Sequence, residues 1–142
     1  IGKAVHVSTK YPKDYIIGAD TIVYCNKKIL GKPNSRSQAN KYLQLLNNNQ
    51  HEVYTGVSVV NKEKSIKKKF YEKTIVTFNN VNQKDINFYI DRYKPYDKAG
   101  SYGIQEWSSI FIKKINGCFY NVVGFPLPKF YKLFAEELNI NK

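Results

Sequence analysis

Four side chains able to do chemistry lie in three stretches of low bulk: Asp20 in "GADT" (18–21), Lys32 in "LGKP" (30–33), and Lys98 and Gln105 in "DKAGSYGIQ" (97–105). Small residues let a ligand approach the main chain, whose N–H groups can bind oxygen anions. A lysine beside such a loop supplies a point charge for phosphate. An aspartate at a strand end can coordinate a hard cation or take a proton from water. A glutamine carries one acceptor and two donors, suited to reading a base edge. Taken singly, each signal has a plainer reading. Asp20 alone is more often a turn or strand-end residue, Lys32 before Pro33 is ordinarily just exposed, and glycine-rich turns mostly serve geometry. There is no Walker A motif, Rossmann glycine pattern or HExxH. His6 and His51 are the only histidines and form no readable triad; His51, at the start of a strand, reads as structural or surface rather than catalytic.

The elements that must position these residues are legible from periodicity. "DYIIGADTIVYCNKKIL" carries strand residues over 15–17 and 21–24, with a bulge expected at Gly18 and Ala19, a turn at 26–28 and a short return strand at Ile29 and Leu30. "NSRSQANKYLQLLNNNQ" is a helix: Ser35 caps it with Gln38 in a capping-box arrangement, Ala39, Tyr42, Leu43 and Leu46 share a face, and asparagines 47–49 end it. "HEVYTGVSVV" and "KKKFYEKTIVTF" alternate as strands joined by "NKEKS". Asn82 caps a helix with Ile86, Tyr89, Ile90 and Tyr93 on one side, stopped by Pro95. "SIFIKKI" and "CFYNVV" flank Asn116-Gly117 and predict another hairpin; "PLPKFYKLFAEEL" predicts a last helix. Hairpins separated by helices imply an α/β or α+β layer packing and disfavour a doubly wound parallel sheet.

Composition sets outer bounds. The chain has 142 residues, 42% of them hydrophobic, enough for one domain with a modest core. No stretch approaches ~20 apolar residues, so no membrane span is expected. Cys25 and Cys118 lack metal spacing and read as reduced strand cysteines of a cytosolic protein. A net charge of +12 predicts attraction to polyanions without choosing among them. The densest run, "NKEKSIKKKFYEK" (61–73), interleaves lysines and aromatics as a nucleic-acid groove does. Glu63 and Glu72 dilute it, and a solvated hairpin whose lysines blunt a sheet edge is the favoured reading.

Together, "IIGADTIV", "LGKP", "HEVYTGVSVV", "DKAGSYGIQ" and "NVVGFPL" resemble, in order and approximate spacing, the Maf nucleotide pyrophosphatases, over residues from about 15 to 134. The resemblance implies an inosine-triphosphatase-like α/β fold, with an elongated mixed sheet flanked by helices and a cleft between two lobes. It implies hydrolysis of a nucleoside triphosphate to monophosphate and pyrophosphate, aided by Mg²⁺ or Mn²⁺, in cytoplasmic nucleotide housecleaning. "GADT" with "DKAGSYGIQ" resembles the branch acting on dTTP and UTP rather than 7-methyl-GTP. Asp20 then matches the proton acceptor and metal-binding carboxylate. Thr21 and Gln105 match specificity positions, and Lys32 and Lys98 face phosphate. Gly100 and Gly103 are expected to let the nucleotide approach the main chain. Family members are often dimers, so a homodimer is in keeping with the resemblance.

The chain departs from the family's pattern at its front. The family opens with a strand, a Ser-x-Ser-Pro-Arg-Arg loop that grips the triphosphate, and a glutamate that helps hold metal. Here "IGKAVHV" resembles the helix that follows them. The 142 residues therefore read as a single Maf-like domain, 1–142, lacking that strand and loop. The alternatives are a basic nucleic-acid-binding module and a nucleotide-binding relative without catalysis.

Overall fold

The computed structural model describes residues 2–139. Its centre is a five-stranded sheet in the order β2-β1-β3-β4-β5, built from β1 (Ile16–Cys25), β2 (Lys28–Leu30), β3 (Gln50–Asn61), β4 (Ile66–Phe78) and β5 (Ile112–Asn116). Helices α1 (Gly2–Lys10), α2 (Arg36–Leu46), α3 (Gln83–Tyr93), α4 (Phe119–Val123) and α5 (Leu127–Phe134) flank it. The α/β class follows as expected. The described strand pairs are all antiparallel, where the resemblance implied a mixed sheet. No described helix is long and apolar enough to cross a membrane.

Local chemistry explains most elements. The β1–β2 turn places Asn26 and Lys27 at φ of 49° and 62°, the two left-handed positions of a type I′ hairpin. Ser35 caps α2 by accepting from the Gln38 backbone N–H, while the Gln38 side chain reaches back to the N–H of Asn34, one residue beyond the usual box. Asn82 caps α3 by accepting from the Asp85 N–H, and Lys94 closes it in the left-handed conformation before Pro95.

Two expectations fail. β1 pairs with β3 without a break from Ile16↔Val60 to Tyr24↔Glu52, so there is no bulge at Gly18 and Ala19. Gly18 is small because α1 crosses there: an added Cβ would lie 3.1 Å from Ser58 Oγ and 3.4 Å from Ala4 Cβ. The second hairpin also does not form. β5 pairs with β4, whose other edge β3 already holds, and Gly117 at φ 126° turns the chain into α4 instead. Gly117 lies so close to Thr74 that a Cβ would meet its Cα at 3.2 Å. α4 then drops Asn121 onto the sheet, where its Nδ2 donates to Val53 O, Glu72 O and Thr74 Oγ1.

Strand alternation gives the sheet two unlike faces. The inner face carries two cores. One joins Val23, Val53, Val76 and Phe78 to Leu43 and Leu46 of α2 and Ile86, Tyr89 and Ile90 of α3. The other joins Val57 and Val59 to Phe130 and Phe134 of α5. The lysine run does not form one patch. Register sends Lys67 and Lys69 to the outer face, while Lys68 turns the other way and pairs with Glu137 at 3.2 Å.

Candidate active site

Midway along β1, a cavity of about 440 Å³ opens between the two cores. Asp20, Thr21, Lys32, Lys98 and Gln105 all line it, so the five expected site residues come to one place from three chain segments. Val122, Val123 and Gly124 at the end of α4 close its far side. A larger groove of about 1010 Å³ runs between α1 and β1, β3 and β4; its lining is mostly apolar, and it shares Ala19 and Asp20 with the cavity. Asp20 faces away from Thr21 by strand alternation. It reaches the cavity because β2 covers only Val23–Cys25 of the β1 edge.

The 97–106 segment is held firmly for a backbone so bare. Tyr102 and Ile104 plug it into the first core. Tyr102 packs edge-on to Phe78, with ring centroids 4.9 Å apart, and its hydroxyl lies 2.6 Å from His51 Nε2. The Gly100 N–H donates to Gly31 O at 3.1 Å, tying the segment to the turn that carries Lys32. Its glycines make room for the protein itself, and Gly103 also lines the cavity. A Cβ at Gly100 would lie 2.9 Å from Val23 Cγ2, and one at Gly103 would lie 2.5 Å from Lys98 Cε.

The charges differ in their company. Lys98 Nζ is 2.9 Å from Glu106 Oε1 and 3.3 Å from Asp97 Oδ1, and its pKa is raised chiefly by the Glu106 carboxylate. The other Glu106 oxygen accepts from Tyr89 Oη at 2.8 Å. Among the described residues, Asp20 and Lys32 form no ion pair and no side-chain hydrogen bond. Thr21 Oγ1 is 2.8 Å from Thr55 Oγ1, which donates onward to Asn121 O at 3.1 Å; in that chain Thr21 gives its proton to Thr55 and offers the cavity an acceptor.

Two lysines thus face three carboxylates, Asp20, Asp97 and Glu106. No cluster of three metal-ligating side chains exists among the described residues. Asp97 and Glu106 are engaged by Lys98, which leaves Asp20 as the free carboxylate. One carboxylate with phosphate oxygens and water is a donor set that suits Mg²⁺.

His51 is neither surface nor part of the cavity lining. It is buried beneath Tyr102, its Nδ1 has no partner among the described residues, and burial pushes its pKa down to about 4. Glu106, Tyr89, Thr55 and Asn121 were not foreseen. The usable signals were Thr55 among valines on a buried face and Glu106 directly after Gln105; Tyr89 and Asn121 were hidden within apolar patterns.

A family model described as "Maf-like protein" matches residues 1–137. The chain is similar to a dTTP/UTP pyrophosphatase of Clostridium tetani, 44% identical over 142 residues, covering 99% of this chain and 73% of that protein. It is 45% identical over 127 residues to a dTTP/UTP pyrophosphatase of Bacillus mycoides, covering 89% of this chain and 65% of that one. It is 45% identical over 145 residues to a third, of Cytophaga hutchinsonii, covering 99% of this chain and 66% of that one.

Proposed function

The chain belongs to the Maf-like protein family, and on that premise we propose that it forms the nucleotide cleft of a cytoplasmic pyrophosphatase acting on dTTP or UTP. The observation that carries the reading is the convergence of Asp20, Thr21, Lys32, Lys98 and Gln105 on one cavity of nucleotide size. The names of the relatives agree with it.

In this mechanism Asp20 accepts a proton from a water molecule, whose oxygen attacks the α-phosphorus. The bond from the α-phosphorus to the bridging oxygen breaks, and pyrophosphate leaves with that oxygen. Lys32 and Lys98 neutralise charge that grows on the phosphate oxygens. Asp20 is the residue that would hold a Mg²⁺ ion, which would supply further charge neutralisation. Thr21 presents an acceptor to a ring N–H, as uracil and thymine offer, and Gln105 meets the remaining base edge.

Incubation with UTP and Mg²⁺, followed by phosphorus NMR, is expected to show UMP and pyrophosphate, with the reaction stopped by a chelator. Release of orthophosphate would reject the α-phosphorus as the point of attack. Binding of UTP without turnover would favour the nucleotide-binding relative.

A further inference from the structure

A carboxylate beside a phosphate-facing lysine is an awkward neighbour, because it repels the same anion the lysine attracts. Glu106 holds this position in the cavity lining, 2.9 Å from Lys98 Nζ. The arrangement behind it is built. The Gly103 N–H donates to Tyr89 Oη at 3.2 Å, and the Tyr89 hydroxyl donates to Glu106 Oε2 at 2.8 Å. Glu106 Oε1 then receives Lys98. Ser108 Oγ donates to Gly103 O at 2.6 Å, pinning the peptide that begins the chain. Tyr89 is fully buried and packs against both Tyr93 and Trp107, with ring centroids 5.6 and 6.4 Å away, so the relay is anchored on α3 rather than on the loop. The lysine stem lies over Gly103, where a Cβ would meet it at 2.5 Å.

We propose that Glu106 is a positioning residue for Lys98. Fixed by Tyr89, it aims the ammonium into the cavity and keeps it there before a nucleotide arrives. Asp97, the lysine's other partner, is largely exposed and holds it more loosely, at 3.3 Å. The remaining charged groups of the cavity, Asp20 and Lys32, lie on the β1 side and form no ion pair with Lys98. The value of Lys98 to turnover rests on the pyrophosphatase reading; its positioning by Glu106 does not.

The test separates the two. In the isotope-labelled chain, the Lys98 side-chain nitrogen is assigned as the resonance lost in Lys98→Arg and followed against pH. Glu106→Gln is expected to lower its titration midpoint, Tyr89→Phe to lower it less, and Asp97→Asn to lower it less than Glu106→Gln. Gly103→Ala, which crowds the flexible lysine stem and, at 3.3 Å, the carboxylate carbon of Glu106, is expected to move the midpoint down as well. An unchanged midpoint in Glu106→Gln, or an equal shift in Asp97→Asn, overturns the proposal. With UTP and Mg²⁺, Glu106→Gln is expected to lose roughly ten- to hundredfold in kcat through misplacement of the ammonium. KM should not rise, since a repelling carboxylate has gone. A Glu106→Gln variant that instead lost its response to Mg²⁺ would make Glu106 a ligand and overturn the positioning role. If the parent binds no UTP, the pyrophosphatase reading fails, and the NMR midpoints still decide the positioning.

Discussion

On one wall of the cavity, every group but the exposed Gln105 is tied down: Lys98 to Glu106 and Asp97, Glu106 to Tyr89, Tyr102 to His51 and Phe78, Gly100 to Gly31. On the other, the β1 wall, Asp20 and Lys32 are exposed and have no side-chain partner among the described residues. The difference teaches where each kind of residue draws its constraint. The 97–106 wall is shaped by folding. The exposed charges of the β1 wall contribute little to the fold, and in the proposed function they act on the nucleotide. Mutations on the two walls should therefore divide between stability and turnover.

The largest effect should come from Asp20→Asn. It removes the proton acceptor and should lower pyrophosphate release by roughly 10²- to 10⁴-fold. Because Asp20 is exposed and unpaired, the change should move unfolding stability by no more than about 0.5 kcal/mol. Denaturant unfolding beside a pyrophosphate assay measures both. Retained turnover would remove Asp20 from the mechanism, and a large stability loss would break the contrast between the walls.

The tied wall should instead fail in acid. Burial holds the His51 pKa at about 4 in the folded protein, below its unfolded value of about 6.5. The folded state therefore prefers the neutral ring. This contribution is complete above about pH 6.5 and drains away as pH falls toward about 4, a loss on the order of 3 kcal/mol. Protonation puts a charge under Tyr102, on a ring whose Nδ1 has no acceptor among the described residues. Urea unfolding of the parent and His51→Gln across that window should show a much shallower pH dependence in the variant. Equal slopes would clear His51 of the effect.

How much of this was readable divides along the same line. On the β1 wall Asp20 and Thr21 were reached through the motif they sit in, since the strand runs unbroken where a bulge was expected, whereas the 26–28 reversal was legible because a short turn is fixed locally. The caps at Ser35 and Asn82 were legible for the same reason. The relay behind Lys98 was not: Tyr89 sits on the helix face that periodicity assigns to the core, and only tertiary packing turns its hydroxyl toward Glu106. "CFYNVV" misled because Asn-Gly before β-branched residues is a strong hairpin signal. Gly117 instead turns the chain off the sheet into α4, where Asn121 meets three acceptors on the strands beneath it. The motifs, in turn, named glycines that also serve the fold, since Gly100 and Gly103 accommodate Val23 and Lys98.

The smallest expected effect compares two glycines across a single hydrogen bond. Gly100 donates its N–H to Gly31 O, so one residue stands on each wall. Gly100 has φ 71° and is followed by Ser101 at φ 70°, and a Cβ on it would press on Val23 at 2.9 Å. Gly31 has nothing within 4 Å of an added Cβ. Gly100→Ala bears both a left-handed penalty and an overpacked contact, and should cost about 2 kcal/mol of stability. Gly31→Ala should stay within about 0.5 kcal/mol, as surface substitutions do. Paired thermal melts decide it. If the two variants fall together, the 97–106 wall is no stiffer than its neighbour, and the fixed aim of Lys98 has lost its support. If only Gly100→Ala falls, the rigidity belongs to that wall, and the hydrogen bond alone does not carry it across the cavity.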